Sequence, residues 1–167
     1  MAYSKSFKRI EDSICAPRGF KVAAVFCDIK RLGTGKGSEK GQKRDLALIV
    51  SDAPAAVAGM FTTNQVCAAP VKLSASRAAK RFARAIVVNS GNANACTGRR
   101  GIADAKRMTE TAATALKLRA GDVLICSTGR IGVLMAMKNV KRGIRACAPL
   151  LAWAVSPTGD DAILQAR

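Results

Sequence analysis

The chain opens its patterned part with "GFKVAAVFCDIK" (Gly19–Lys30), which alternates and then turns fully apolar, so it predicts a strand or a strand pair. "LALIV" (Leu46–Val50) is a short continuous apolar run bounded by Asp45 and "SDAP", the pattern of a buried strand. "AAVAGMFTT" (Ala55–Thr63) predicts a further strand, and "NQVCAAPVKLS" (Asn64–Ser74) a strand followed by a turn around Pro70. Ser74–Phe82 reads as a helix with its basic residues on one face, and "AIVVN" (Ala85–Asn89) as a strand. Asp104–Leu118 is the clearest helix: Ala105, Met108, Ala112 and Leu116 form one stripe, with Asp104 near the start and Lys117 near the end, where the dipole favours each sign. "DVLICSTG" (Asp122–Gly129) predicts a buried strand running into a turn. Lys138–Leu151 predicts a second helix, with Val140, Ile144, Cys147 and Leu151 aligned. "SPTGDD" then breaks the pattern, and "AILQAR" reads as the start of another helix.

Strands and helices alternate without internal repeats, which predicts an α/β arrangement. Residues 1–19 read as a polar lead-in and residues 20–167 as one domain, which suits a length of 167 residues. Aromatic residues make up only 4% of the chain and alanine supplies much of its apolar fraction. The expected core is therefore built from small side chains and is thin for its length, so a partner subunit or further chain is expected to complete it.

Charge changes the picture in one direction. Lys and Arg number 28 against 11 acids, a formal net charge of +17. Nucleic-acid binding would want clustered cations interleaved with aromatic stacking platforms. Here the cations are scattered, and the sole Trp and Tyr are Trp153 and Tyr3. Electrostatic steering of anionic substrates fits this distribution better than a nucleic-acid partner. The loop "RLGTGKGSEKGQKRD" (Arg31–Asp45) superficially resembles a phosphate-binding loop, but Lys36 is followed by Gly37 and no helix follows, so it reads as an exposed loop.

Six cysteines occur without a C-x-x-C pair, several inside apolar segments, and histidine is absent. Free thiols in a reducing compartment follow, with no metal site and a cytoplasmic or organelle-matrix location. No apolar run approaches the length of a membrane span.

Two stretches concentrate candidate chemistry, each read as a turn at the end of a buried strand. In "VVNSGNANACTG" (Val87–Gly98), Gly91 and Gly98 permit unusual backbone angles, and Asn89, Asn92 and Asn94 offer side-chain donors and acceptors. The residues fit a polar binding wall, and equally a turn in which asparagines satisfy backbone groups. In "LICSTGRIG" (Leu124–Gly132), an apolar strand delivers Ser127, Thr128 and Gly129 into a bend whose amides could converge on an oxyanion. The competing reading is a strand-to-helix linker with Ser or Thr as a helix cap. The missing histidine removes Ser–His catalysis and most catalytic metal sites. Acyl transfer in such a chain needs another proton acceptor, for example the α-amino group of an N-terminal threonine.

Three blocks, "DLALIVSDAPAAVAGMFTTNQVCAAPV", "RAIVVNSGNANACTG" with "GIADAKRM" after it, and "VLICSTGRIGVLMAMKNVKRGI", strongly resemble the bifunctional ornithine/glutamate N-acetyltransferases of arginine biosynthesis, the ArgJ family. They stand in the family's order and cover most of Phe20–Leu151. The resemblance implies a DmpA/ArgJ-like α/β sandwich of the self-cleaving, N-terminal-nucleophile type, of which this chain holds an incomplete N-terminal part. It implies a precursor that cuts itself into α and β chains. The new N-terminal threonine of β takes the acetyl group from N-acetylornithine and passes it to glutamate, with acetyl-CoA as an alternative donor and no bound cofactor. It assigns Thr128 and Gly129 to the oxyanion hole and, more loosely, Asn92 and Asn94 to the adjoining pocket wall. Arg130 stands where the family commonly has an apolar residue, and Ala136 where proline is common. The family's "TTD"-type motif, its substrate-binding lysine and its nucleophilic threonine do not occur before Arg167. The expectation is a truncated α portion whose partner is the β chain and which has no transferase activity alone. The competing expectations are a basic module for nucleic acid or an acidic partner, and an inactive remnant.

Overall fold

The computed structural model of the protein describes residues 14, 16–29 and 43–153. Strand β1 is Phe20–Val25 and β2 is Leu46–Ala56. Helix α1 is Ala69–Ala78, β3 is Phe82–Asn92, α2 is Gly98–Leu116 and β4 is Val123–Arg130. Helix α3 is Met137–Cys147, and β5 is Ala152–Trp153. The strands form one sheet in the order β4–β3–β2–β1–β5, in which β3 and β4 run parallel and the other neighbours antiparallel. A parallel pair needs a crossover, and α2 supplies it between β3 and β4.

The pleat sorts side chains by parity. Ala23, Leu46, Leu48, Val50, Ala85, Val87, Val123 and Ile125 point to one face and are buried with Met108 and Ala112 of α2 and Val140, Ile144 and Cys147 of α3. Full burial of such an aliphatic side chain is worth about 2 kcal/mol, so this layer carries most of the fold. The opposite face carries Val22, Ile49, Ile86 and Leu124 in one continuous row across four strands, and Ala24, Ala47, Val88 and Cys126 in the next. These residues are half-buried, Cys126 exposed, and among the described residues no helix covers them.

Asp45 sets the entry to β2. Its buried carboxylate accepts the backbone N–H groups of Cys27 (2.7 Å) and Ile29 (2.6 Å), closing the bend around Asp28, whose φ is +68°.

Several elements differ from the sequence expectation. Strand β2 continues through "SDAPAA" to Ala56, with a register shift between Val50 and Ala55, and Val57–Asn64 has no regular structure where a strand was expected. The strand and turn expected across Asn64–Ser74 give way to α1, which begins at Ala69 because Pro70 is preorganised for the first helical turn. The helix expected from Ser74 to Phe82 is thus shifted toward the N-terminus. Helix α2 starts at Gly98, not Asp104. Asp104 therefore lies within the helix, buried and paired with Arg100 at 3.3 Å, and is not a first-turn acid. Lys117 closes α2 in the left-handed region (φ +55°). Helix α3 ends at Cys147 and tightens into a 3-10 turn over Ala148–Leu150. Most of the lead-in, most of the Gly/Lys-rich loop and the "AILQAR" segment lie outside the described residues.

Candidate active site

In both stretches the strand runs further than expected, to Asn92 and to Arg130, and the irregular backbone begins only beyond those residues, with Asn94 (φ +49°) and Cys96 (φ +56°) in the left-handed region. Asn89, Ser90, Gly91 and Asn92 belong to β3 and pair in register with Ser127, Thr128, Gly129 and Arg130 of β4. The physical reason is a close fit between two glycines. Gly129 has φ +132°, and a Cβ there would overlap the Gly91 carbonyl and lie 2.5 Å from the Asn92 nitrogen. Only glycine at 129 lets the two backbones stay paired at this point, and Gly91 opposite it has a φ of +102° that also favours glycine. Beyond Arg130 the two segments stay side by side: the Gly132 N–H donates to the Ala95 carbonyl at 2.9 Å, and Ile131–Gly132 forms a bend.

Strand β4 is an edge strand, and α1 seals its lower half. The Ser74 hydroxyl donates to the Ile125 carbonyl (2.7 Å) and accepts from the Ile125 N–H (2.9 Å), while the Arg77 guanidinium donates to the Val123 carbonyl (2.5 Å). Burial pulls the Arg77 pKa down, with the Glu110 charge opposing. Odd-numbered residues of β4 thus turn their backbone groups away from β3. Even-numbered ones turn toward it, as the Ala93 N–H bonded to the Arg130 carbonyl at 3.0 Å shows. α1 offers no partner beyond Ile125 among the contacts it makes with β4.

The side chains beyond that point divide by face. Thr128, Gly129 and Arg130 are exposed; by parity Thr128 shares the uncovered face with Cys126 and Leu124. Ser127 points the other way beside its register partner Asn89, and neither the buried Ser127 Oγ nor the Asn89 Oδ1 has a hydrogen-bond partner.

Asn92 and Asn94 are 2% and 0% exposed, and their side chains bond within the protein. Asn92 Nδ2 donates to the carbonyls of Val133 (3.0 Å) and Leu134 (3.2 Å), and its Oδ1 accepts the Asn94 N–H at 2.8 Å. Asn94 Nδ2 donates to the Gly101 carbonyl (2.9 Å), and its Oδ1 accepts the Thr97 hydroxyl (2.7 Å). Asn89 Nδ2 holds the Asn92 carbonyl at 2.9 Å. Glycine is needed at 101 because a Cβ there would collide with the Thr97 hydroxyl and the Asn94 side chain. The three asparagines tie the end of β3 to the segment after β4 and to the first turn of α2.

A profile of the ArgJ family matches residues 22–165. The chain belongs to the ArgJ family. An "Arginine biosynthesis bifunctional protein ArgJ" from Caldanaerobacter subterraneus subsp. tengcongensis is 48% identical over 139 residues, 83% of this chain and 32% of that protein. Its namesake from Geobacter sulfurreducens is 49% identical over 127 residues, 76% of this chain and 30% of that protein. This ArgJ-family chain therefore spans about a third of the length of the curated relatives it matches. Among solved structures, ornithine acetyltransferase complexed with ornithine from Mycobacterium tuberculosis superposes with a TM-score of 0.76 at 37% identity, covering 89% of this chain and 75% of that one. The arginine biosynthesis bifunctional protein from Bacillus halodurans superposes with a TM-score of 0.71 at 34% identity, covering 79% of this chain and 64% of that one. The fold is accordingly the mixed α/β, DmpA/ArgJ-like one.

Sequence reasoning missed Ser74 and the placement of Asn89. An isolated serine beside "VKL" carries no signal of an edge brace, whereas an asparagine ending the run "IVVN" could have been read as one pointing inward.

Proposed function

We propose that this chain supplies the oxyanion strand of a glutamate N-acetyltransferase/ornithine acetyltransferase of arginine biosynthesis, working in the cytoplasm. The attacking group is the N-terminal threonine of a β chain from the same precursor. That threonine's hydroxyl attacks the acetyl carbonyl of N-acetylornithine while its own α-amino group takes the proton. The carbonyl oxygen becomes an oxyanion, received by the Thr128 hydroxyl and by the Gly129 amide, which the alternation along β4 turns away from β3. The tetrahedral adduct collapses, ornithine leaves with the proton, and the acetyl group stays on threonine as an ester. The amine of glutamate then displaces it; acetyl-CoA is an alternative donor. Each oxyanion donor is typically worth about 3 kcal/mol of barrier.

One observation carries the reading: Thr128 and Gly129 are exposed at the end of a strand whose neighbours on the same face form an uncovered apolar surface. That surface, with exposed Ile131 and Leu134 just beyond the bend, suits a second layer contributed by the β chain. Asn92 and Asn94 hold the pocket wall from behind rather than touching substrate.

The test is co-expression with the remainder of a close ArgJ relative, from its TTD-type motif through its β chain, and an assay of acetyl transfer from N-acetylornithine to glutamate. Turnover is expected from the pair and not from the isolated chain. Thr128→Ala should lower kcat by about 10²–10³-fold. Turnover by the isolated chain, or an unchanged kcat in the variant pair, would refute the reading.

A further inference from the structure

Cys67 and Cys96 line one cleft of about 310 Å³ together with Lys72, Thr97, Arg99 and Ile102. They arrive there from distant parts of the sequence. Cys67 belongs to the extended stretch before α1, and Cys96 to the loop leading from β3 into α2. The Ala69 N–H donates to the Asn94 carbonyl at 3.3 Å and ties these segments together. Cys67 precedes Ala69 by two residues and Cys96 follows Asn94 by two. Both cysteines thus stand two residues from the same hydrogen bond and line one cleft.

The two thiols are accessible. Cys96 is exposed and Cys67 half-buried, and both are free. Cys96 also sits in the left-handed region (φ +56°), between Asn94 and Thr97, which bond to each other. The contrast is with Cys27 and Cys147, which are buried in the core. Burial pushes both of those thiols up, Cys147 to about 11, which keeps them protonated and unreactive. Lys72 and Arg99 on the cleft wall favour a reagent carrying carboxylates.

We propose that Cys67 and Cys96 form a redox-modifiable dithiol site for carboxylate-bearing low-molecular-weight disulfides, separate from the Thr128–Gly129 end of β4. Cys96 attacks one sulfur of the reagent disulfide, forming a mixed disulfide and releasing one small thiolate. Cys67 then attacks the Cys96 sulfur, forming the Cys67–Cys96 bond and releasing the second. The two protons lost by the cysteines end on the two small thiols, so one disulfide is reduced as one is formed.

The experiment treats the native chain with oxidised glutathione, alkylates the remaining thiols and maps the peptides by mass spectrometry. The expected product is a peptide containing Cys67 joined to one containing Cys96, the joined pair lower by two hydrogens than its two peptides; the exposed Cys126 is scored separately on its own peptide. Cys67→Ser should instead stop at glutathione on Cys96, with no loss of that adduct over time. A persistent glutathione adduct on Cys96 in the unsubstituted chain, or both cysteines recovered fully alkylated, would overturn the proposal; neither outcome depends on a variant that folds.

Discussion

The lower and upper halves of the β3–β4 pair have the same register and opposite characters. Below, Ala85–Val87 and Val123–Ile125 bury one face beneath α2, and the outer edge is sealed by Ser74 and Arg77. Above, Asn89–Asn92 and Ser127–Arg130 keep the pairing, with the β3 segment still largely buried but the end of β4 exposed. Asparagine side chains brace one side, and Thr128 and Gly129 are exposed on the other. Packing supports the lower half without special residues. The upper half depends on a glycine pair and on amide hydrogen bonds, which act only with correct geometry. A strand extended this way places polar groups at a fixed position without a flexible loop, which suits a group that must meet developing charge.

The comparison can be broken most severely at Gly129. Gly129→Ala forces a side chain into the Gly91–Asn92 backbone at a φ of +132°, and the combined strain and overlap should cost about 3–5 kcal/mol. A midpoint in urea close to that of the unsubstituted chain would show that the upper pairing is looser than described. Asn92→Ala removes two donated bonds to part-buried carbonyls and leaves the buried Asn94 N–H without its acceptor, at about 2–3 kcal/mol. Hydrogen exchange should quicken at Asn94 and around Val133–Met135 while the lower half stays protected. Ser74→Ala probes the lower half, where hydrophobic packing persists; about 1–2 kcal/mol is expected, with faster exchange at Ile125. Thr128→Ala should change stability least, by about 0.5 kcal/mol or less, because the residue is exposed. The large fall in kcat described above would then be free of any folding defect. A substantial stability loss instead would recast Thr128 as a structural residue.

How much was readable depends on what each element buries. The apolar runs of β1, β3, β4 and the start of β2 announced strands because they feed a shared core. Helices α2 and α3 announced themselves through Met108, Ala112, Val140 and Ile144. Helix α1 did not, because it lies against a sheet edge and buries only Ala69, Pro70 and Ser74, which form no hydrophobic stripe. The first turn of α2 was hidden for a related reason: Gly101 looks like a helix breaker until Asn94 is seen packed against it. Thr128 and Gly129 were legible as the polar end of an apolar strand. That they stay in the strand was not, since Asn and Gly favour turns and only the Gly91–Gly129 fit overrides that preference.

By itself, the sequence determined an α/β class, the family, the lack of any imidazole and the identity of the exposed Thr–Gly step, because period, motif and residue chemistry are local properties. Tertiary structure decided which asparagines were committed to backbone carbonyls, which edge a helix sealed, which sheet face stayed uncovered and which two thiols met. Those outcomes depend on groups far apart in the chain coming within hydrogen-bonding or packing distance, and no local pattern encodes that distance.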